Sequence, residues 1–115
     1  MLRTNKTIRK LELEGNLLGP KSFIEFGNVL SINKTLKLLD LESNQLTVDG
    51  QEMHGVYHFA ECFGKNKTLL SLNIANNQLD EKCGTIIREK IEENDTLIDL
   101  DFSMNAFSMQ DSRDI

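Results

Sequence analysis

The residue types best suited to chemistry are His54, His58 and Cys62, spaced i, i+4, i+8. That spacing puts them on one face of any helix spanning them. Two imidazoles at i, i+4 can hold a zinc ion, and a thiol is a third ligand type. Glu61 could add a carboxylate. However, no Cys-x-x-Cys or similar partner pair exists, and Gly55 weakens the first turn. The three are therefore expected to be flank residues touching adjacent segments, with no metal bound. Cys83 is expected to be a small packed residue rather than a ligand or disulfide partner. Four Asn-x-Thr sequences, at Asn5, Asn33, Asn66 and Asn94, fit the glycosylation acceptor pattern. No nucleophile motif, phosphate-binding loop or dinucleotide fingerprint is present. The sequence therefore predicts no enzyme activity and no cofactor.

The composition narrows the classes further. The chain has 115 residues, a length that predicts one domain. Its 13 Lys+Arg against 18 Asp+Glu give a net charge of −5, the wrong sign for a phosphate-backbone binder. Aromatics are 6% with no Trp, so base-stacking platforms are poorly supplied and a nucleic-acid partner is not expected. No apolar run approaches the roughly 18 residues of a membrane helix. The start, Met1-Leu2-Arg3-Thr4-Asn5, lacks the apolar core of a signal peptide. With only two Cys, an intracellular and cytoplasmic setting is expected. On that setting, the Asn-x-Thr sequences are not expected to be glycosylated. All four share one place where a helix meets a strand, and Asn there tolerates a left-handed cap.

The element pattern comes from a repeat. Four segments align without gaps: Asn5 to Leu18, Asn33 to Leu46, Asn66 to Leu79 and Asn94 to Phe107. Each fits apolar-x-x-Leu-x-apolar-x-x-Asn-x-apolar. The apolar positions are Ile8, Leu11, Leu13, Leu18, then Leu36, Leu39, Leu41, Leu46. They continue as Leu69, Leu72, Ile74, Leu79, then Leu97, Leu100, Phe102, Phe107. The shared asparagines are Asn16, Asn44, Asn77 and Asn105, spaced 28, 33 and 28 residues apart. An Asn amide both donates and accepts, so it can satisfy backbone groups where the chain leaves a strand.

Leu11 and Leu13 alternate with Lys10, Glu12 and Glu14, a strand period. Between strands the period turns helical, as in the stripes Phe23-Phe26-Gly27-Leu30, Val56-Phe59-Ala60-Phe63 and Gly84-Ile87-Ile91. Gly19-Pro20 is expected to start the first helix.

The pattern resembles the leucine-rich repeat, and its 28-residue period resembles the ribonuclease-inhibitor-like class. The resemblance covers nearly the whole chain. It implies an α/β solenoid: a curved parallel sheet on the concave face and helices on the convex face. Residues 1–115 would form a single domain of about four repeats, with strand segments near 8–14, 36–42, 69–75 and 97–103. Leu2 matches the template position of Leu30, and Ile115 that of Phe26, so both ends fall inside a repeat and no polar cap is visible. The expectation is a fragment of a longer solenoid, or ends covered by further repeats or another chain. Repeat two carries about five extra residues near Val48-Asp49-Gly50-Gln51-Glu52, a candidate binding loop or neutral insertion.

Solenoids of this class usually bind on the concave face. If the leucines point inward, alternate strand residues point out. One row reads Lys10, Leu38, Ser71, Asp99; the next Glu12, Asp40, Asn73, Asp101; the last Glu14, Glu42, Ala75, Ser103. Opposed like charges weaken a sheet. This face is therefore expected to dock a protein partner with a basic segment, with Leu38 and Ala75 as a small apolar patch. The alternatives are a solvated acidic face, a structural scaffold repeat in a cytoskeletal or ciliary assembly, like tropomodulin-type proteins, and the sensor end of a NOD-like receptor. More remote is a GTPase-activating protein, whose loop residues have no identifiable equivalents here.

Overall fold

A computed structural model of the chain describes residues 5–47, 53–103 and 105. Seven elements follow in order: β1 (Lys10–Glu12), α1 (Pro20–Ile32), β2 (Leu38–Asp40), α2 (Met53–Lys65), β3 (Ser71–Asn73), α3 (Glu81–Glu93) and β4 (Asp99–Asp101). The four strands form one parallel sheet in sequence order. Their register aligns Leu11, Leu39, Leu72 and Leu100. Each helix is the return path that a parallel pair requires. The result is the α/β leucine-rich-repeat fold, sheet on one side and helices on the other. The extra residues at 48–52, and the chain ends Leu2 and Ile115, lie outside the described residues.

The core lies between the two layers. Leu39, Leu72 and Leu100 on the sheet and Phe23, Val56, Phe59, Phe63 and Ile87 on the helices are all essentially inaccessible. Each such side chain contributes about 1.5–3 kcal/mol on leaving water. Phe23 and Phe59 pack at 4.3 Å between ring centroids, joining α1 to α2. Gly27 lets those helices approach. A Cβ there would lie 2.8 Å from His58 Cδ2 and 3.2 Å from the Phe59 Cα. Pro20 opens α1 after Gly19, while Asp80 caps α3 by accepting from the Cys83 N–H at 3.0 Å.

Two asparagine ladders tie the repeats together. In the first, Asn44 Oδ1 accepts from the N–H groups of Asn16 (2.8 Å) and Leu18 (3.0 Å), one repeat back. Its Nδ2 donates to the Leu13 and Leu41 carbonyls. Asn77 Nδ2 donates to the carbonyls of Leu41, Ile74 and Ala75. Asn105 Oδ1 accepts from Asn77 and Leu79 N–H. The second ladder is built from the Asn-x-Thr asparagines. Asn33 Oδ1 accepts from Thr35 and Leu36 N–H, Asn66 from Thr68 and Leu69, Asn94 from Thr96 and Leu97.

This corrects the backbone expectation. Asn33 and Asn94 sit at φ −77° and −91°, extended and not left-handed. Their side chains, not their backbones, explain the choice of Asn. Thr adds a hydroxyl bond to the preceding repeat, as Thr35 Oγ1 does to the Ile8 carbonyl. Asn33 and Asn66 are buried with their amides engaged, so neither is accessible as an acceptor while folded. Among the described residues, the left-handed ones are instead Gly15, Ser43 and Asn76 at one repeat position, and Leu17 and Gln78 at another.

Candidate partner-binding face

The outer face of the sheet begins with a backbone irregularity that repeats. The Arg9 carbonyl accepts from both Lys37 N–H (2.7 Å) and Leu38 N–H (3.0 Å). The Lys37 carbonyl does the same for Leu70 and Ser71, and the Leu70 carbonyl for Ile98 and Asp99. One acceptor therefore meets two consecutive donors, and strict alternation starts only after this point. Arg9, Lys37, Leu70 and Ile98 thus form a fourth row, at the rim where the chain enters the strands. Leu70 and Ile98 are 37% and 65% exposed.

The other rows are brought into line by the strand register. Lys10, Leu38, Ser71 and Asp99 are successive partners, as are Glu12, Asp40, Asn73 and Asp101. Beyond them, the ladder continues through Leu13 N–H to the Asp40 carbonyl and Gly15 N–H to the Glu42 carbonyl, bringing Glu14 beside Glu42. The Ser43 N–H reaches the Ala75 carbonyl and the Asn76 N–H the Ser103 carbonyl, which extends the last row to Ser103. Ala75 itself is fully buried, so it adds no apolar surface there. The shallow hollow over the strands, about 210 Å³, is lined by Lys10, Glu12, Leu38, Asp40, Asn73 and Asp101 among others.

Three of these polar side chains also have a local task. Asp40 Oδ1 accepts from Glu42 N–H, Asn73 Oδ1 from Ala75 N–H and Asp101 Oδ1 from Ser103 N–H, each at 3.0 Å. A short side chain with an oxygen two residues upstream satisfies the N–H where the strand ends. This bond gives Asp40, Asn73 and Asp101 a structural role beside any role in recognition. Asn73 performs the task without charge. Glu12, Glu14 and Glu42 are too long for that turn and serve no such bond.

The electrostatics differ across the face. Hydrogen-bond sharing with Glu42 raises the Glu14 carboxyl above its ordinary value, and the charges of Glu42, Asp40 and Glu12 push the same way. Glu42 receives the Asn73 amide at 3.0 Å, which is a neutral donor. Lys10 lies 3.7 Å from Glu12. Among the described residues, no Lys or Arg lies within ion-pair distance of Glu14 or Glu42.

The helical side carries the other candidate residues. His58 Nε2 lies 2.6 Å from Asn28 Oδ1, bridging α1 and α2, and Cys62 Sγ lies 3.9 Å from the same nitrogen. His54 is exposed. No group of three or more metal-ligating side chains converges among the described residues. Burial pushes the Cys83 thiol up to about 12, leaving it protonated and inert. At the β1 end of the stack, Leu11, Leu13, Leu18, Phe26 and Val29 line an apolar hollow of about 390 Å³.

The family described as Leucine Rich repeat matches residues 33–52 and 65–82, two of the four aligned segments. Among solved structures, the chain is similar to leiomodin-1 actin-binding site 2, with a TM-score of 0.79 and 22% identity. That likeness covers 90% of this chain and 58% of the other. It is also similar to the tropomodulin C-terminal domain of Caenorhabditis elegans, with a TM-score of 0.76 and 19% identity, over 95% of this chain and 63% of that one. The chain thus spans less than two thirds of either solved chain, and identities this low establish the fold alone. No curated protein matches the chain. No helix among the described residues is long and apolar enough to cross a membrane.

Proposed function

We propose that this chain is a non-catalytic protein-interaction module whose outer sheet face docks a partner bearing a basic segment. The observation that carries the reading is the unmatched carboxylate pair Glu14 and Glu42, at the edge of a face that also presents Glu12, Asp40, Asp99 and Asp101. Like charges held together on a sheet cost folding free energy. A basic segment would supply the missing counter-charge and speed encounter. The setting is intracellular and cytoplasmic.

The test is capture of partners from cell lysate across a salt series. Wild type is compared with E12Q/E14Q/D40N/D101N. Asn at 40 and 101 keeps the turn bond, as Asn73 does, so the variant loses charge without losing the local structure. Loss of a salt-sensitive partner supports the reading, and an unchanged set of partners overturns it.

A cytoskeletal scaffold is the second reading, favoured by the similarity to a structure described as an actin-binding site. Co-sedimentation with actin filaments tests it: pelleting of the wild-type chain supports an actin partner. A chain left in the supernatant at low salt removes actin from consideration.

A further inference from the structure

The outer face is not uniformly acidic. Its charge changes sign along the strands. In repeat one the order from strand entry to exit is Arg9, Lys10, Glu12, Glu14, and in repeat two Lys37, Leu38, Asp40, Glu42. The basic rim then continues into repeats three and four as an apolar one, where the Ile98 N–H bonds the Leu70 carbonyl at 3.0 Å and both side chains are exposed. Leu38, half-buried, extends this apolar surface toward the middle of the sheet.

From this arrangement, and resting on the docking reading above, we infer that the partner segment is an amphipathic helix lying obliquely across the four strands, over the middle of the face at repeats one and two and over the strand-entry rim at repeats three and four. Its basic flank faces Glu12, Glu14, Asp40 and Glu42; its apolar stripe covers Leu38, Leu70 and Ile98; its acidic flank faces Arg9 and Lys37. The dimensions agree. The five residue-to-residue steps along a parallel strand from Arg9 to Glu14 span roughly 16 Å, against a helix diameter of about 10–12 Å with side chains. A helix can therefore touch both rims at once with opposite flanks. An extended segment presents only two opposite rows of side chains and cannot meet two rims and a floor together. Three strand spacings of about 4.8 Å make the face roughly 14 Å long, which is about ten helical residues.

The experiment uses three synthetic 18-residue helical peptides and the full chain, read by fluorescence anisotropy at low ionic strength. The polarised peptide has a Lys flank, a Leu stripe at i, i+3, i+4, i+7 and a Glu flank. The second replaces its Glu flank with Lys. The third scrambles the polarised sequence. The inference expects the polarised peptide to bind at least tenfold more tightly than the scramble. It also expects that binding to fall about tenfold in R9E/K37E, and again in L70S/I98S, two pairs at the strand-entry rim whose folding is checked by circular dichroism. Tighter binding of the all-Lys peptide, unaffected by R9E/K37E, overturns this inference while leaving the basic-partner reading intact. Equal binding of polarised and scrambled peptides overturns it as well. Binding of none of the three at millimolar concentration overturns both.

Discussion

The outer sheet face and the α2–α3 surface carry charge in opposite ways. On the helices, Lys90 reaches Glu61 at 2.8 Å and Glu93 at 3.2 Å, and Lys65 reaches Glu61 at 3.4 Å. The Lys90 and Lys65 ammonium groups hold the Glu61 carboxyl below its ordinary value. On the sheet, Glu14 is raised by its like-charged neighbours. One surface neutralises itself within the chain; the other leaves charge that something outside the chain can neutralise. Neither arrangement is needed for the fold, whose cohesion comes from the leucine core and the asparagine ladders beneath. That separation lets charge on the sheet face serve recognition.

The largest predicted effect establishes that separation. Asn77→Ala removes three donated bonds to carbonyls in the buried interior and should cost about 3 kcal/mol in urea denaturation. Asn16→Ala, at the exposed end of the same ladder with one bond to the Glu14 carbonyl, should cost no more than about 0.5 kcal/mol. Equal losses would mean the ladder is not what holds the repeats.

On the helical side, Gly27→Ala crowds His58 and the Phe59 backbone. Overpacking of about 2 kcal/mol, offset by about 1 kcal/mol of helix propensity, leaves a net loss of about 1 kcal/mol by thermal or urea unfolding.

Smaller effects bear on the charges themselves. Because Glu14 is raised, the folded chain takes up its proton before the unfolded chain does. Its contribution to stability is present below the ordinary carboxylate value and lost as pH rises through the raised one. Glu61 is lowered by Lys90 first and Lys65 second, and Asp95 is lowered by Lys67 at 3.0 Å. Their contributions are present above the ordinary value and lost as pH falls through the lowered ones. Acidification therefore relieves the sheet face while it dissolves the pairs elsewhere. E42Q should remove most of the Glu14 dependence and Lys90→Met most of the Glu61 dependence, each read as a change in the slope of unfolding free energy against pH. Glu14, Glu61 and Asp95 are exposed, so the slopes will be shallow and will flatten further in high salt.

The architecture was plain in the sequence because each buried position recurs four times. Leu39, Leu72 and Leu100 announce a shared inward row, and Asn44, Asn77 and Asn105 a shared turn. The details that failed are those where backbone bonding breaks simple alternation. Arg9, Lys37, Leu70 and Ile98 went unread because a strict two-residue period assigns them inward, whereas the doubly accepting carbonyl at each strand entry turns two consecutive residues out. Ala75 was read as outward for the opposite reason, its small side chain disappearing where the strand ends. The turn-bonding task of Asp40, Asn73 and Asp101 had a visible signal: a short Asx residue recurs at one template position, where repeat one has the longer Glu12. At Asn33, Asn66 and Asn94 the property that matters is the side-chain amide, which holds the strand entry, while the backbones of Asn33 and Asn94 stay extended.

The most direct measurement is an NMR titration of every side-chain carboxyl in the free chain, repeated in E42Q. The account predicts that Glu14 titrates above the ordinary glutamate value and shifts down toward it in E42Q, while Glu61 and Asp95 titrate below theirs in both proteins. Glu14 titrating within or below the ordinary range would contradict it. The Glu14–Glu42 pair would then carry no like-charge repulsion for a partner to relieve.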